Sequence, residues 1–219
     1  VSEHLDQFLD PESPSLKICG VTTADDAEQL ADIGVHALGV NFWSKSKRYC
    51  SPEDASEFLG NLESAILRVG VFVNAPFELP LQLLQDKIID VAQFHGDEDV
   101  DYCLQFAEAD YPFIKAVSLK SPKDITSVLE YDASSVLVDG FAQGEYGGTG
   151  RLADWELARV LVEENPDLPV ILAGGIGIEN AAQALDIVNP SCLDVASGAE
   201  LEPGIKDFKK VQALYDLLS

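Results

Sequence analysis

Short apolar runs recur along the chain, and each is followed by a stretch whose apolar positions return every three or four residues. The runs are Leu16–Cys19, Ala37–Phe42, Arg68–Val73, Asp90–Phe94, Phe113–Val117, Ser135–Val138, Val170–Leu172 and Cys192–Val195. Several are apolar at nearly every position, as expected of strands covered on both faces. The stretches between them have helical period: Ala24–Asp32, Pro52–Gly60, Leu79–Lys87, Glu98–Glu108, Lys123–Glu130, Asp154–Glu164, Ile178–Val188 and Asp207–Leu218. This alternation within 219 residues predicts an α/β fold, a single-domain (β/α)8 TIM barrel spanning residues 16–219. An open doubly wound sheet is the alternative. It wants a G-x-G-x-x-G turn after the first strand, and Cys19-Gly20-Val21-Thr22-Thr23 stands there instead.

Local signals agree with the helix starts. Thr23 precedes Ala24-Asp25-Asp26, a capping residue followed by acids, and Ser51-Pro52 and Ser121-Pro122 put serine at the cap and proline at the first helical position. Residues 1–15 are polar and acidic, unlike a secretory signal. They read as an N-terminal extension with one short helix over Ser2–Leu9, ended by Pro11 and Pro14.

Charge narrows the partners. The formal net charge of −24 argues against nucleic acid and against anionic membranes, neither of which would meet a basic face. No apolar run approaches the ~20 residues of a membrane span. The four cysteines (Cys19, Cys50, Cys103, Cys192) form no C-x-x-C pair, and the three histidines show no ligand spacing, so no metal site is expected. Scattered thiols without a secretory signal suggest a reduced, cytoplasmic protein.

Candidate chemistry gathers where strands end. Lys17 and Cys19 share one face of their strand, as do Val91, Gln93 and His95, Leu137 and Asp139, and Cys192 and Asp194. Polar groups converging on one rim of a barrel read as an active site. Asp139 opens a glycine-rich loop containing Gly144, Gly147, Gly148 and Gly150, which reads as a carboxylate beneath a lid. Lys17 and Lys115 read as structural charges in the barrel interior, each paired with an acid. Ala173-Gly174-Gly175-Ile176-Gly177 and Ala196-Ser197-Gly198 follow strands seven and eight, where this fold often holds phosphate. Arg48, in the basic segment Ser44–Tyr49, is placed to hold a carboxylate bidentately.

Taken together, Lys17-Ile18-Cys19-Gly20, Lys45-Ser46-Lys47-Arg48-Tyr49, Gln93-Phe94-His95-Gly96-Asp97-Glu98, Gly144 to Gly150, Leu172-Ala173-Gly174-Gly175, Asp194-Val195-Ala196-Ser197-Gly198 and Pro203-Gly204-Ile205-Lys206-Asp207 resemble the phosphoribosylanthranilate isomerases of tryptophan biosynthesis. The departures are the extension, Ser44 and Lys47 where many members carry proline, and Ala196 where serine is common. The resemblance implies a cofactor-free (β/α)8 enzyme performing an Amadori rearrangement on a small phosphorylated substrate, as a monomer or homodimer. It implies Asp139 as general acid, its pKa raised by burial, and Cys19 as general base, with thiolate character favoured by Lys17 or a cationic intermediate. It further implies Arg48 on the anthranilate carboxylate, phosphate on Gly174, Gly175, Ser197 and Gly198, and Gln93, His95 and Asp194 near the sugar and ring. An indole-glycerol-phosphate synthase, a sugar-phosphate epimerase, a sugar-phosphate aldolase using Lys17 or Lys115 as an interior lysine, and a non-enzymatic assembly partner are the competing readings.

Overall fold

Strands apolar on both faces must be covered on both, and closing the sheet does this with one chain. In the computed structural model of the protein, described over residues 2–62, 66–140 and 153–218, eight parallel strands close in sequential order. They are β1 (Ser15–Cys19), β2 (Ala37–Asn41), β3 (Leu67–Phe72), β4 (Val91–Phe94), β5 (Phe113–Val117), β6 (Ser135–Val138), β7 (Val170–Leu172) and β8 (Cys192–Val195). The expected strands are all present, with ends moved by one residue at most.

The outer layer comprises α2 (Ala24–Ile33), α3 (Pro52–Leu59), α4 (Glu78–Gln85), α5 (Val100–Glu108), α6 (Pro122–Val128), α7 (Trp155–Glu164), α8 (Ala181–Val188) and α9 (Phe208–Leu218). The caps read from sequence are formed. Thr23 accepts from the Asp26 N–H and Ser51 from the Asp54 N–H, while Ser121 and Asp124 make a reciprocal capping box.

Alternation sorts the core into two. Leu16, Ile18, Leu38, Val40, Phe72 and Phe94 face the helices. Ala37, Val69, Val91, Ile114, Leu137, Ile171 and Cys192 fill the barrel axis. The amino-terminal segment departs from its reading as an appendage. Helix α1 (Ser2–Phe8) brings Phe8 and Leu9, both buried, into this axial cluster, with Leu5 packed beside them. The extension therefore supplies part of the barrel's own core.

Lys115 departs from its reading as an interior charge. Ile114 and Ala116 face the axis, so Lys115 points outward into the helix layer. There its Nζ bonds Glu98 at 2.8 Å and the Gly96 carbonyl at 2.8 Å, and lies over the Tyr131 ring. It is paired with an acid, as expected, but on the other side of the sheet. A second feature was not anticipated. A two-stranded hairpin, β9 (Glu200–Glu202) with β10 (Ile205–Lys206), follows β8.

Candidate active site

All eight strands run the same way, so their carboxyl ends share one rim, and the polar residues that finish them meet there. Cys19, Asn41, Ser46, Arg48, His95, Asp139, Gly174, Gly175, Asp194, Ala196 and Ser197 line one pocket with Val71, Val73, Ala173 and Ile176. Two of the expected residues do not line it: Gln93, fully buried behind His95, and Gly198, half-buried in the turn after β8. The expected lid, Gly144 to Gly150, lies outside the described residues.

Asp139 follows β6 directly. Its N–H extends the ladder to the Val117 carbonyl, its Oδ1 accepts from the Gly140 N–H at 2.7 Å, and its Oδ2 lies 3.1 Å from His95 Nε2. His95 is fixed in turn by its N–H to the Phe72 carbonyl and by Gln93 Nε2, 2.9 Å from its Nδ1. The loop after β4 is tied down by Glu98, which accepts from the N–H groups of Asn74 and Gly96 and from Lys115.

Lys17 and Asp194 are register partners on β1 and β8, and their side chains form a buried ion pair at 2.8 Å. Burial opposes the charge on Lys17, but Asp194 outweighs it and holds the ammonium well above its ordinary pKa. Lys17 is thus a structural interior cation, as expected. It is not a neutral amine of the kind a Schiff-base aldolase needs, and Lys115 points away from the barrel axis.

Cys19 is half-buried at the rim. Gly39 is its register partner, and a Cβ there would come within 3.0 Å of the Cys19 Sγ. Burial pushes the Cys19 thiol above its usual pKa, and the pull of Lys17, Lys206 and Arg48 does not cancel it. In the resting site desolvation wins over the nearby cations.

Arg48 lies across Gly20, where a Cβ would fall on its side chain; Gly20 also has a left-handed φ of 79°. The bidentate fork expected of Arg48 is made, but to a residue of this chain. Its Nε and Nη2 bond the two oxygens of Glu200 at 2.8 and 2.6 Å. That leaves the Nη1–Nη2 edge for a ligand. Glu200 also accepts from Lys206 Nζ at 2.8 Å and from the Gly204 N–H, and Lys206 Nζ donates to the Cys19 carbonyl. The hairpin thereby locks the Arg48 loop to β1.

Burial opposes ionisation of Glu200, yet the Arg48 hydrogen bonds and the Lys206 charge hold its carboxyl below the usual carboxylate range. A depressed folded pKa means its contribution to stability is complete above the unfolded value, about 4.3, and is lost as pH falls through the folded one. Glu200→Gln is therefore expected to be less stable than wild type at neutral pH, with the gap closing in acid. Urea unfolding at several pH values measures this, and a gap that widens in acid contradicts it.

At the opposite side of the pocket, Gly174 and Gly175 have φ values of 80° and 64°, conformations that favour glycine. Ser197 opens a 3₁₀ turn, Ser197–Ala199. Among the described residues, no acceptor takes the backbone N–H of Gly174, Gly175, Ser197 or Gly198. Unengaged N–H groups on the pocket-lining Gly174, Gly175 and Ser197 suit an anion. Gly198 has a packing reason as well, since a Cβ there would fall 2.0 Å from the Ile176 carbonyl oxygen.

The site is thus an acid with a histidine behind it, a thiol, an arginine edge and an anion cradle on one rim. Comparison with known proteins gives the same picture. Residues 16–216 match the sequence profile of N-(5'-phosphoribosyl)anthranilate (PRA) isomerase. The enzyme of that name from Thermotoga neapolitana is 40% identical over 197 residues, covering 90% of this chain and 94% of that one. The crystal structure of phosphoribosyl anthranilate isomerase from Thermotoga maritima superposes with a TM-score of 0.82 at 35% identity, over 94% of this chain and 98% of that one. A similar structure, with a TM-score of 0.79 at 33% identity over 94% of this chain and 98% of that one, is an isomerase in complex with reduced 1-(o-carboxyphenylamino)-1-deoxyribulose 5-phosphate. The match runs through every strand of the barrel and both glycine loops, and this chain belongs to the N-(5'-phosphoribosyl)anthranilate isomerase family.

Proposed function

We propose that this chain converts N-(5'-phosphoribosyl)anthranilate to 1-(2-carboxyphenylamino)-1-deoxyribulose 5-phosphate in tryptophan biosynthesis, with Asp139 as general acid and Cys19 as general base. The observation that carries the assignment is that both groups line one pocket, between an arginine edge and an anion cradle.

Asp139 gives its proton to the furanose ring oxygen. The bond from C1 to that oxygen breaks, its electrons stay on oxygen, and the anthranilate nitrogen lone pair forms a C1=N iminium. Cys19 then takes the proton from C2. The C–H electrons form the C1–C2 double bond, and the iminium electrons return to nitrogen. Protonation at C1 with loss of the C2 hydroxyl proton gives the ketone. A resting thiol must first lose its proton to water at the half-exposed rim, and the cationic iminium beside it, with Lys17, favours that loss. His95 stands behind the acid, and the Nη1–Nη2 edge of Arg48 takes the anthranilate carboxylate. Gly174, Gly175 and Ser197 hold the phosphate through backbone N–H groups, with Gly198 shaping the turn. Asp194 keeps Lys17 charged beneath the sugar.

Mixing the protein with freshly made phosphoribosylanthranilate and following the loss of its fluorescence tests the activity. A decay no faster than without protein refutes it. The Arg48 assignment has its own measurement. Loss of a charge-assisted contact is expected to cost roughly 1.5–3 kcal/mol in kcat/KM for Arg48→Ala. Arg48→Lys keeps the charge without the fork and should recover only part of it. With an aniline-based substrate lacking the carboxylate, the Arg48→Ala penalty should largely vanish. An equal penalty on both substrates would place the contribution of Arg48 elsewhere.

A further inference from the structure

We propose that Gln93 is a positioning residue whose amide, by presenting either its nitrogen or its oxygen to His95, sets the tautomer of His95 and thereby whether Asp139 holds the proton it must donate. The inference rests on Asp139 being the acid.

Gln93 does not touch the pocket. It is fully buried on β4, between its register partners Val71 and Ile114. Its Nε2 lies 2.9 Å from His95 Nδ1, and its Oε1 is buried with no hydrogen-bond partner among the described residues. A buried carbonyl oxygen left unpaired costs about 1–3 kcal/mol. An apolar side chain would carry no such cost in this layer of Val, Ile and Leu. The amide is therefore a group with one half in use and the other held beside the same imidazole.

The two halves ask opposite things of the ring. With Nε2 turned to it, Nδ1 must be an acceptor, so the ring proton sits on Nε2 and is donated to the Asp139 carboxylate. The pair then holds one proton and the acid is empty. A half-turn of the amide brings Oε1 to Nδ1, which can then carry a proton. The pair takes up one further proton. The Nε2 proton passes along the 3.1 Å line to Oδ2, leaving His95 neutral with Nδ1–H and Asp139 as a carboxylic acid whose O–H points at Nε2. Proton count and charge balance: the loaded pair differs from the empty pair by the one proton that goes to the substrate ring oxygen. A carboxylate at position 93 would permit only the second arrangement, and an apolar side chain would direct neither.

Other charges reach this pair from the surrounding elements. Cys19 on β1, Arg48 after β2 and Asp194 on β8 line the same pocket, Lys17 neutralises Asp194, and the Glu98–Lys115 pair anchors the loop that carries His95. None bonds Nδ1 of His95, so position 93 is the variable the experiment isolates.

The test uses the full-length protein labelled with 15N-histidine, without substrate, in mildly alkaline buffer. Wild type is expected to show His95 with a bare Nδ1 and a protonated Nε2. Gln93→Glu is expected to show a protonated Nδ1 at that same pH. In both Gln93→Glu and Gln93→Met, kcat should fall by roughly tenfold, the rate equivalent of one buried hydrogen bond, with KM within about twofold. A purely packing role would not move the tautomer. The proposal is overturned if wild type shows Nδ1–H, if Gln93→Glu leaves Nδ1 bare, if kcat is unchanged in both variants, or if KM carries the loss. Should one variant fail to fold, the other decides. Normal turnover of Asp139→Asn would instead overturn the acid assignment, leaving the tautomer measurement to stand by itself.

Discussion

Asp139→Asn and Cys19→Ala are each expected to lower kcat by roughly 10²–10⁴-fold while the barrel stays folded. The asparagine is isosteric and keeps its one oxygen for the Gly140 N–H, while its amide nitrogen takes the place of the oxygen that faces His95 Nε2. What it lacks is an acidic proton for the ring oxygen. Alanine at position 19 removes the Sγ that sits beside Gly39 and leaves β1 intact, because the strand is held through its backbone ladder to β2 and β8. The half-buried thiol loses little packing when it goes. Residues acting on one proton path are not additive, so the double variant should fall little further than the worse single one. The loss of substrate fluorescence under saturating conditions gives kcat, and far-ultraviolet circular dichroism checks the fold. Turnover near wild type in either variant would remove that residue from its role.

How much of this could be seen in the chain depends on whether the pattern carries phase. On β1 the polar Lys17 and Cys19 alternate with the apolar Leu16 and Ile18, so the inward face follows from the sequence. On β5 both Phe113 and Ile114 are apolar, as are Ala116 and Val117, and alternation gives no phase there. Reading Lys115 as an interior charge therefore puts it on the wrong side of the sheet. The extension was more legible than its reading allowed. Leu5, Phe8 and Leu9 have the spacing of one helix face, and that face closes on the barrel axis. Glu200 could not be seen as the partner of Arg48, because 152 residues separate them and only barrel closure makes them neighbours. The strand-end site was visible because parallel topology alone brings strand termini together. Which of its members touch the pocket was not, since Gln93 and His95 share a face and differ only in depth.

Lys17→Met is expected to destabilise the fold by about 3–5 kcal/mol, the range for a buried ion pair stripped of one partner. The ammonium is fully buried and Asp194 nearly so, at 2.8 Å, so no water replaces the lost charge. Methionine fills the volume, which leaves the uncompensated carboxylate as the source of the loss. Adding Asp194→Asn removes that charge and should recover part of the stability, although Asp194 also lines the pocket and activity need not follow. The pH dependence has a definite sign. The Lys17 pKa is raised on folding, so its contribution is complete below the unfolded value, about 10.4, and is lost only as pH rises through the folded one. On the Lys17 account alone, the gap between wild type and variant narrows in strong alkali. The same substitution reports on the base. Lys17 is the largest of the cationic influences opposing burial at Cys19, so its loss should drive the thiol higher still. Alkylation of Cys19 by iodoacetamide should be slower in Lys17→Met than in wild type and should need more alkaline buffer to reach the same rate. Urea unfolding and alkylation rates measured on the same samples separate the two consequences. A variant that loses stability but alkylates at the wild-type rate would confine Lys17 to the core and leave activation of Cys19 to the substrate's own positive charge.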